Sequence, residues 1–158
     1  MSLSHSIHQR LLHQHEAIQP IISGISKERM TYRLAPEKWN IHDNIVHLAK
    51  YQPVFIERLN KMLQENSPEF GRYRAEDDVE FETWRSWNTD KLFEKLQHHR
   101  QSIVEIVSPL DKTQLNRVGI HKKFGHLTIE KWLEFFLLHE AHHMFTIFQL
   151  ANDVDIKV

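Results

Sequence analysis

Cysteine is absent from the 158-residue chain. That excludes a disulfide framework, a Cys-type zinc site and a cysteine nucleophile, and leaves His, Asp and Glu as the only sources of metal ligands. Glycine and proline are scarce, 4 and 5 residues, together about half their usual share. So few chain breakers point to long helices and an all-α fold. Neither sign of charge dominates, with 20 Lys and Arg against 21 Asp and Glu. Composition therefore gives no electrostatic footprint for a phosphate backbone or an anionic bilayer, and neither nucleic acid nor membrane is an expected partner. Long apolar runs are missing too. The longest stretch free of Asp, Glu, Lys and Arg is Ala141–Asn152, well short of the roughly 20 residues a spanning helix needs. Met1-Ser2-Leu3-Ser4-His5 has no basic start, and Arg10 interrupts the apolar residues after it, so no signal peptide is read and a cytoplasmic location is expected. The length suits one domain, 1–158. What the chain does have is histidine, 13 residues of it.

Apolar periodicity predicts four helices. In the first, Leu3, Ile7, Leu11, Ile18, Ile22 and Ile25 recur at helical spacings and give one stripe from about Leu3 to Ile22, with Pro20 as a kink and Gly24 as the end. The second follows Pro36-Glu37-Lys38-Trp39-Asn40, where Asn40 caps and Asp43 puts a negative charge in the first turn. Its stripe is Ile41, Ile45, Leu48, Gln52, Phe55, Leu59 and Met62, read as one bent helix because Pro53 removes a backbone hydrogen bond. Glu65 to Arg85 carries Pro68, Gly71 and a run of acids without a period, and reads as a long crossing connection. The third helix starts near Asn88, with Leu92, Leu96, His99, Ile103 and Ile106 inward and Ser108-Pro109 as the stop. After a polar stretch from Asp111 to His126, Thr128 caps the last helix, whose stripe is Trp132, Phe136, His139, His143, Ile147 and Leu150. Four helices with a long crossover between the second and third make a four-helix bundle.

His139 and His143 break the last stripe. Burying an imidazole without a partner costs about 1–3 kcal/mol, so two on one inward face need compensation. At i and i+4 they lie one turn apart on that face, a spacing that lets both rings reach one ion. The alternative is a pair of core histidines bonded to backbone or tyrosine. The string His139-Glu140-Ala141-His142-His143 also fits H-E-x-x-H, in which a zinc peptidase uses the Glu as general base. Such an enzyme takes a third ligand from downstream, where only Asp153 and Asp155 are available. A di-iron bundle needs a second E-x-x-H, and none occurs. A third ligand is better sought upstream. His47 lies beside the second stripe with Tyr51 and Val54 on its own face, a position that by itself is more often solvated than ligating.

Pro36-Glu37-Lys38-Trp39-Asn40-Ile41-His42-Asp43-Asn44-Ile45-Val46-His47-Leu48 resembles the P-x-x-W-S-x-x-E-x-x-x-H-L stretch opening helix two in the DinB-like superfamily of DNA-damage-inducible bundles. Gly125-His126-Leu127-Thr128-Ile129, followed by His139-x-x-x-His143, resembles its last-helix signature. Asn40 stands where the family has Ser, and Asp43 where it has Glu. The resemblance implies His47, His139 and His143 as a metal triad, with water in the remaining positions. It also implies a homodimer.

Three neutral imidazoles leave an ion its full charge and an open position, as in catalytic zinc sites. Water or thiol bound there loses a proton near neutral pH. Some DinB-like proteins are metal-dependent transferases of low-molecular-weight thiols such as bacillithiol, or mycothiol-dependent isomerases. The resemblance therefore implies a thiol S-transferase in detoxification or stress response, with a small-molecule thiol and an electrophile as partners. Zinc is the first expectation for the metal, with nickel and iron as alternatives. A non-catalytic metal-binding stress-response bundle is the second reading. A deep cavity at the metal would favour the enzyme, and an ion sealed by Trp or Phe the structural module. No catalytic residue is assigned beyond the triad: Glu140 and His142 diverge from the ligand face. His99 is read as a core histidine or a partner of the site. His98, His121, His126 and His142 are placed at solvent or the mouth, and His5, His8, His13 and His15 on the outside of helix one. Trp39, Trp132, Phe135 and Phe136 are read as core packing, and Glu76 to Glu82 as a solvated loop.

Overall fold

A computed structural model describes residues 3–156; the two residues at each end of the expected 1–158 span lie outside the described residues. Its frame is a four-helix bundle. The first rod is α1 (His5–His13), a 3-10 turn (Gln14–Ala17) and α2 (Ile18–Ile22). After the short α3 (Lys27–Thr31) come α4 (Ile41–Gln64), then, across the crossover, β1 (Glu69–Phe70) and α5 (Phe81–Arg85). The rest is α6 (Thr89–Val107), α7 (Lys112–Leu115), β2 (Val118–His121), β3 (Gly125–Thr128) and α8 (Ile129–Asn152). α4 packs on both α6 and α8, and the first rod closes the bundle against α6 and α8.

The helix starts fall where the capping residues predict. Asp43 N donates to Asn40 Oδ1 at 2.7 Å and Asn40 N to Asp43 Oδ2 at 3.1 Å, a capping box. Asp43 is also gripped by Arg33 at 2.7 Å and Arg85 at 2.9 Å, which fastens the crossover to the start of α4. Asn88 caps α6 through Lys91 N, and Thr128 caps α8 through Lys131 N. α4 runs unbroken through Pro53.

Three expectations need correction. The first helix is interrupted, because Gln14 and His15 turn inward: Gln14 Nε2 donates to Glu140 Oε1 at 3.0 Å, and Arg100 Nη1 donates to the Leu11 carbonyl at 3.2 Å. Restarting at Ile18 puts Pro20 in the first turn of a new helix, where its missing N–H costs nothing. His15 is therefore buried rather than on the outside. On α6 the inward face is rotated by one residue. Arg100 and Val107 are buried, while His99 and Ile106 are only half-buried, with the His99 ring 6.4 Å from that of Trp84. The polar stretch before α8 folds into a hairpin. β2 pairs antiparallel with β3 and parallel with β1 of the crossover, giving a small sheet at one end of the bundle. Gly119 permits this approach, since a Cβ there would lie 2.7 Å from Met62 Sδ and 2.8 Å from the Phe70 ring.

Two apolar clusters fill the bundle. One is built around Phe55, Trp132 and Phe136, the other around Ile45, Trp84 and Ile147. Between them every rod contributes a polar residue. Arg100 pairs with Glu140 through Nη2, its Nε donates to Gln52 Oε1 at 3.2 Å, and its Nη1 lies 3.4 Å from His15 Nδ1. Both members of the ion pair are at most 2% exposed. Removing one partner of such a pair strands a buried charge at a cost of about 3–5 kcal/mol, whereas replacing both by apolar residues costs far less. Glu140→Ala is thus expected to lower unfolding free energy in urea by about that amount, and Arg100→Met combined with Glu140→Leu to lose much less than the sum of the single changes.

Candidate metal centre

α4 and α8 face each other where His47 meets His139 and His143. The three ring centroids lie 5.0 Å (His47–His139), 4.5 Å (His47–His143) and 4.7 Å (His139–His143) apart. One nitrogen from each falls within 4.8 Å of the other two. The structure thus brings together all three residues that the resemblance implied. No other group of three His, Asp or Glu side chains with this geometry occurs among the described residues.

Asn44, one turn before His47, supports the site. Its Oδ1 lies 2.8 Å from His143 Nδ1. An amide oxygen accepts only, so His143 carries its proton on Nδ1 and keeps the Nε2 lone pair free. Asn44 Nδ2 donates to the Asn40 carbonyl at 2.8 Å, which fixes the amide orientation. His47 Nε2 and His139 Nε2 approach to 3.0 Å, close to the roughly 3.3 Å that separates two nitrogens on one tetrahedral zinc. Neither ring's Nδ1 has a partner among the described residues. A hydrogen bond across that gap engages only two of the three rings and leaves the His143 Nε2 lone pair outside it. A divalent ion that takes all three Nε2 lone pairs fits the donor set.

Burial holds the rings neutral. His139 is pushed down from 6.5 to about 4, by desolvation first and then by His142 and Arg58. His143 falls to about 3 through desolvation and its two histidine neighbours. His47, the deepest, is lowered further by the same causes. Neutral imidazole is the form that ligates.

The triad opens onto a cavity of about 960 Å³. The α4 side contributes Tyr51 and Arg58, the crossover Tyr73 and Arg74, and the hairpin His121 and Phe124. Tyr51 accepts from Arg58 Nη1 at 3.1 Å, and its ring centroid is 4.7 Å from that of His139. Tyr73 lies 5.6 Å from the His47 ring and donates to Asp78 at 2.8 Å, while Lys50 reaches Glu80 at 2.5 Å. Glu76 to Glu82 is therefore more than a solvated loop, because Asp78 and Glu80 hold it to α4 and Phe81 is buried. The four aromatics expected as core divide. Trp132 and Phe136 are buried in the core, but Trp39 and Phe135 line the cavity, with Trp39 4.9 Å from the His47 ring.

Glu140 points away from the triad into the Arg100 layer, so the general base of an H-E-x-x-H peptidase is not at the site. His142 is exposed at the mouth, as expected. His99 is outside both the triad and the cavity lining. Sequence reasoning missed Asn44 and Arg58. The signal for each was a polar residue at helical spacing on the His47–Tyr51 face, one turn before His47 and two turns after Tyr51.

A family model for the DinB superfamily matches residues 10–147. The chain belongs to the DinB superfamily. Comparison with curated proteins finds no match. Among solved structures the chain is similar to YfiT from Bacillus subtilis, described as a probable metal-dependent hydrolase with an unusual four-helix bundle topology. The TM-score is 0.82 at 16% identity, over 99% of this chain and 92% of that one. This likeness supports the bundle and its crossover. Among the described residues of this DinB-superfamily chain, no helix is long and apolar enough to cross a membrane.

Two outcomes test the site. Metal analysis of untagged protein is expected to find about one equivalent of divalent ion, lost in His47→Ala, His139→Ala and His143→Ala; Asn44→Ala is expected to weaken affinity by about 10–100-fold. The depressed pKa values also set a pH dependence. Unfolded histidines take up protons near pH 6.5, whereas the folded rings stay neutral until about pH 4 or below. Acid therefore favours the unfolded chain. In chelator, the melting temperature is expected to fall as pH drops from about 6.5 toward 4, and to fall less in His47→Leu.

Proposed function

We propose that this protein is a metal-dependent enzyme in which His47, His139 and His143 hold a divalent ion, zinc first, and that it transfers a low-molecular-weight thiol to an electrophile. One observation carries the enzymatic reading over a non-catalytic metal-binding bundle: the triad forms the floor of an open cavity of about 960 Å³ instead of being sealed by aromatic side chains. A divalent ion on three neutral imidazoles supplies Lewis acidity that brings the pKa of a water or thiol beside it toward neutrality.

The chain's own groups do the rest. Asn44 fixes the His143 tautomer and keeps its Nε2 turned to the centre. Trp39 and Phe135 flank the rings and exclude water from that side, raising the weight of every charge inside. The Tyr51 hydroxyl accepts from Arg58, so its own proton is free to be given to an acceptor in the cavity. Burial raises the Tyr51 pKa, which keeps it a donor at neutral pH. His142, exposed at the mouth, can pass protons to solvent.

Hydrolysis is the second reading, favoured by the likeness to YfiT, described as a probable metal-dependent hydrolase. It uses the same centre, with water in place of thiol. A peptidase is disfavoured by the engagement of Glu140 with Arg100. The deciding assay offers zinc-loaded protein a thiol with a chromogenic haloarene electrophile and, separately, a set of esters and amides. Conjugation above the uncatalysed rate, reduced to background in His139→Ala, is the expected result. Turnover of an ester or amide alone would replace transfer by hydrolysis, and no turnover of either would leave the non-catalytic reading.

A further inference from the structure

The charges around the cavity are one-sided. Its lining includes Arg58, Arg72, Arg74, Lys122 and Lys123 but only one acid, Glu76, in a chain whose overall charge is nearly balanced. Arg74 lies 3.9 Å from Glu76 and 3.6 Å from Asp77, both exposed. Arg72, Lys122 and Lys123 have no ion-pair partner among the described residues.

Arg58 stands out further. It is 8% exposed and has no carboxylate partner among the described residues. The other well-buried cations do have one: Arg100 has Glu140, and Lys50 has Asp78 and Glu80. Its protein acceptors are both neutral, the Tyr51 hydroxyl at 3.1 Å and the Gly71 carbonyl at 2.7 Å. The faces of Tyr51, Phe70 and Trp132 lie 5.6–5.7 Å from its guanidinium carbon. A buried guanidinium has five N–H donors and keeps its charge at any pH of interest, so burial without a counter-ion is costly. Neutral acceptors and aromatic faces offset part of that cost. An anion in the cavity would offset the rest, because the fork of a guanidinium matches a carboxylate or phosphate. The fold assembles the wall deliberately. β1 pairs with β2, which brings the crossover residues 72 and 74 beside the hairpin turn at 122 and 123.

We propose that this cavity binds a small molecule bearing a carboxylate or phosphate group, seated by Arg58, with Arg72, Lys122 and Lys123 drawing it in from the mouth. For the reaction proposed above this names the substrate class: an anionic molecule whose reacting end lies at the triad. The anion site itself depends only on Arg58 and the rim and stands whether or not the triad holds an ion.

Isothermal titration of the chelator-treated full chain with succinate, inorganic phosphate and uncharged succinamide tests it. Succinate or phosphate should bind and succinamide should not, and the tighter of the two anions identifies the head group. Arg58→Gln should weaken that binding about tenfold or more, as expected for loss of a charge-assisted hydrogen bond. Arg58→Lys keeps the charge and should recover part of it. The triple variant Arg72→Gln, Lys122→Gln, Lys123→Gln lies on exposed positions that leave the core intact, and should weaken binding several-fold and flatten its salt dependence. Because the measurement is made without metal, a failure of the triad to hold an ion leaves it unaffected. Equal affinity for succinate and succinamide, no binding of either anion, or unchanged affinity in Arg58→Gln would overturn the proposal.

Discussion

The Arg100–Glu140 ion pair sets the rotation of α8, and the candidate site depends on that rotation. Successive residues of a helix point about 100° apart. Once Glu140 is turned toward α6 and the first rod, His143 and His139 stand roughly 60° and 100° round the helix from it, which turns both toward α4. The layer is satisfied from all sides, by Gln14 from the first rod, Gln52 from α4 and Arg100 from α6. A buried ion pair is weak evidence for stability, since an apolar replacement often does as well. It is strong in specifying register, because any slip of α8 would leave two buried charges unpaired. The polar layer thus fixes which α8 residues the candidate metal centre receives.

A second fixed point is the start of α4. Asp43 closes the capping box with Asn40 and takes both Arg33 and Arg85. The two departures from the family stretch, Asn40 for Ser and Asp43 for Glu, therefore still form a complete cap. One turn on, Asn44 holds the His143 tautomer, and one turn beyond it stands His47. Helix capping and ligand orientation are consecutive turns of one helix, so the local sequence that starts α4 also aims the site.

The four helices, their caps and the triad were legible because each is written in local spacing: Asn40, Asn88 and Thr128 before apolar runs, and His139 four residues before His143. Single-residue rotation was not. His99 and Arg100 both continue the α6 stripe at helical spacing, and composition favours histidine over arginine as the inward residue. Only Glu140, 40 residues away in sequence, reverses that preference. The break after His13 was hidden for the same reason, since Gln14 and His15 turn inward to meet partners on other rods. The hairpin strands are four residues each and their pairing with β1 is non-local. A polar stretch that short carries no periodic signal to oppose a loop reading. Trp39 and Phe135 read as core because aromatic residues usually are, and the cavity that exposes them exists only once the crossover and hairpin are in place.

The string His139-Glu140-Ala141-His142-His143 shows how a motif can be divided by its setting. Its two outer histidines face α4, while Glu140 is held by Arg100 and Gln14 on the neighbouring face of α8. Swinging that carboxylate to the metal would strand Arg100, 2% exposed, without a counter-ion, at a cost of about 3–5 kcal/mol. It would also return no hydrogen bond to Gln14. A glutamate that must be bought from the core in this way is a poor general base. The outer histidines of the motif therefore belong to the candidate site, and its glutamate belongs to the fold.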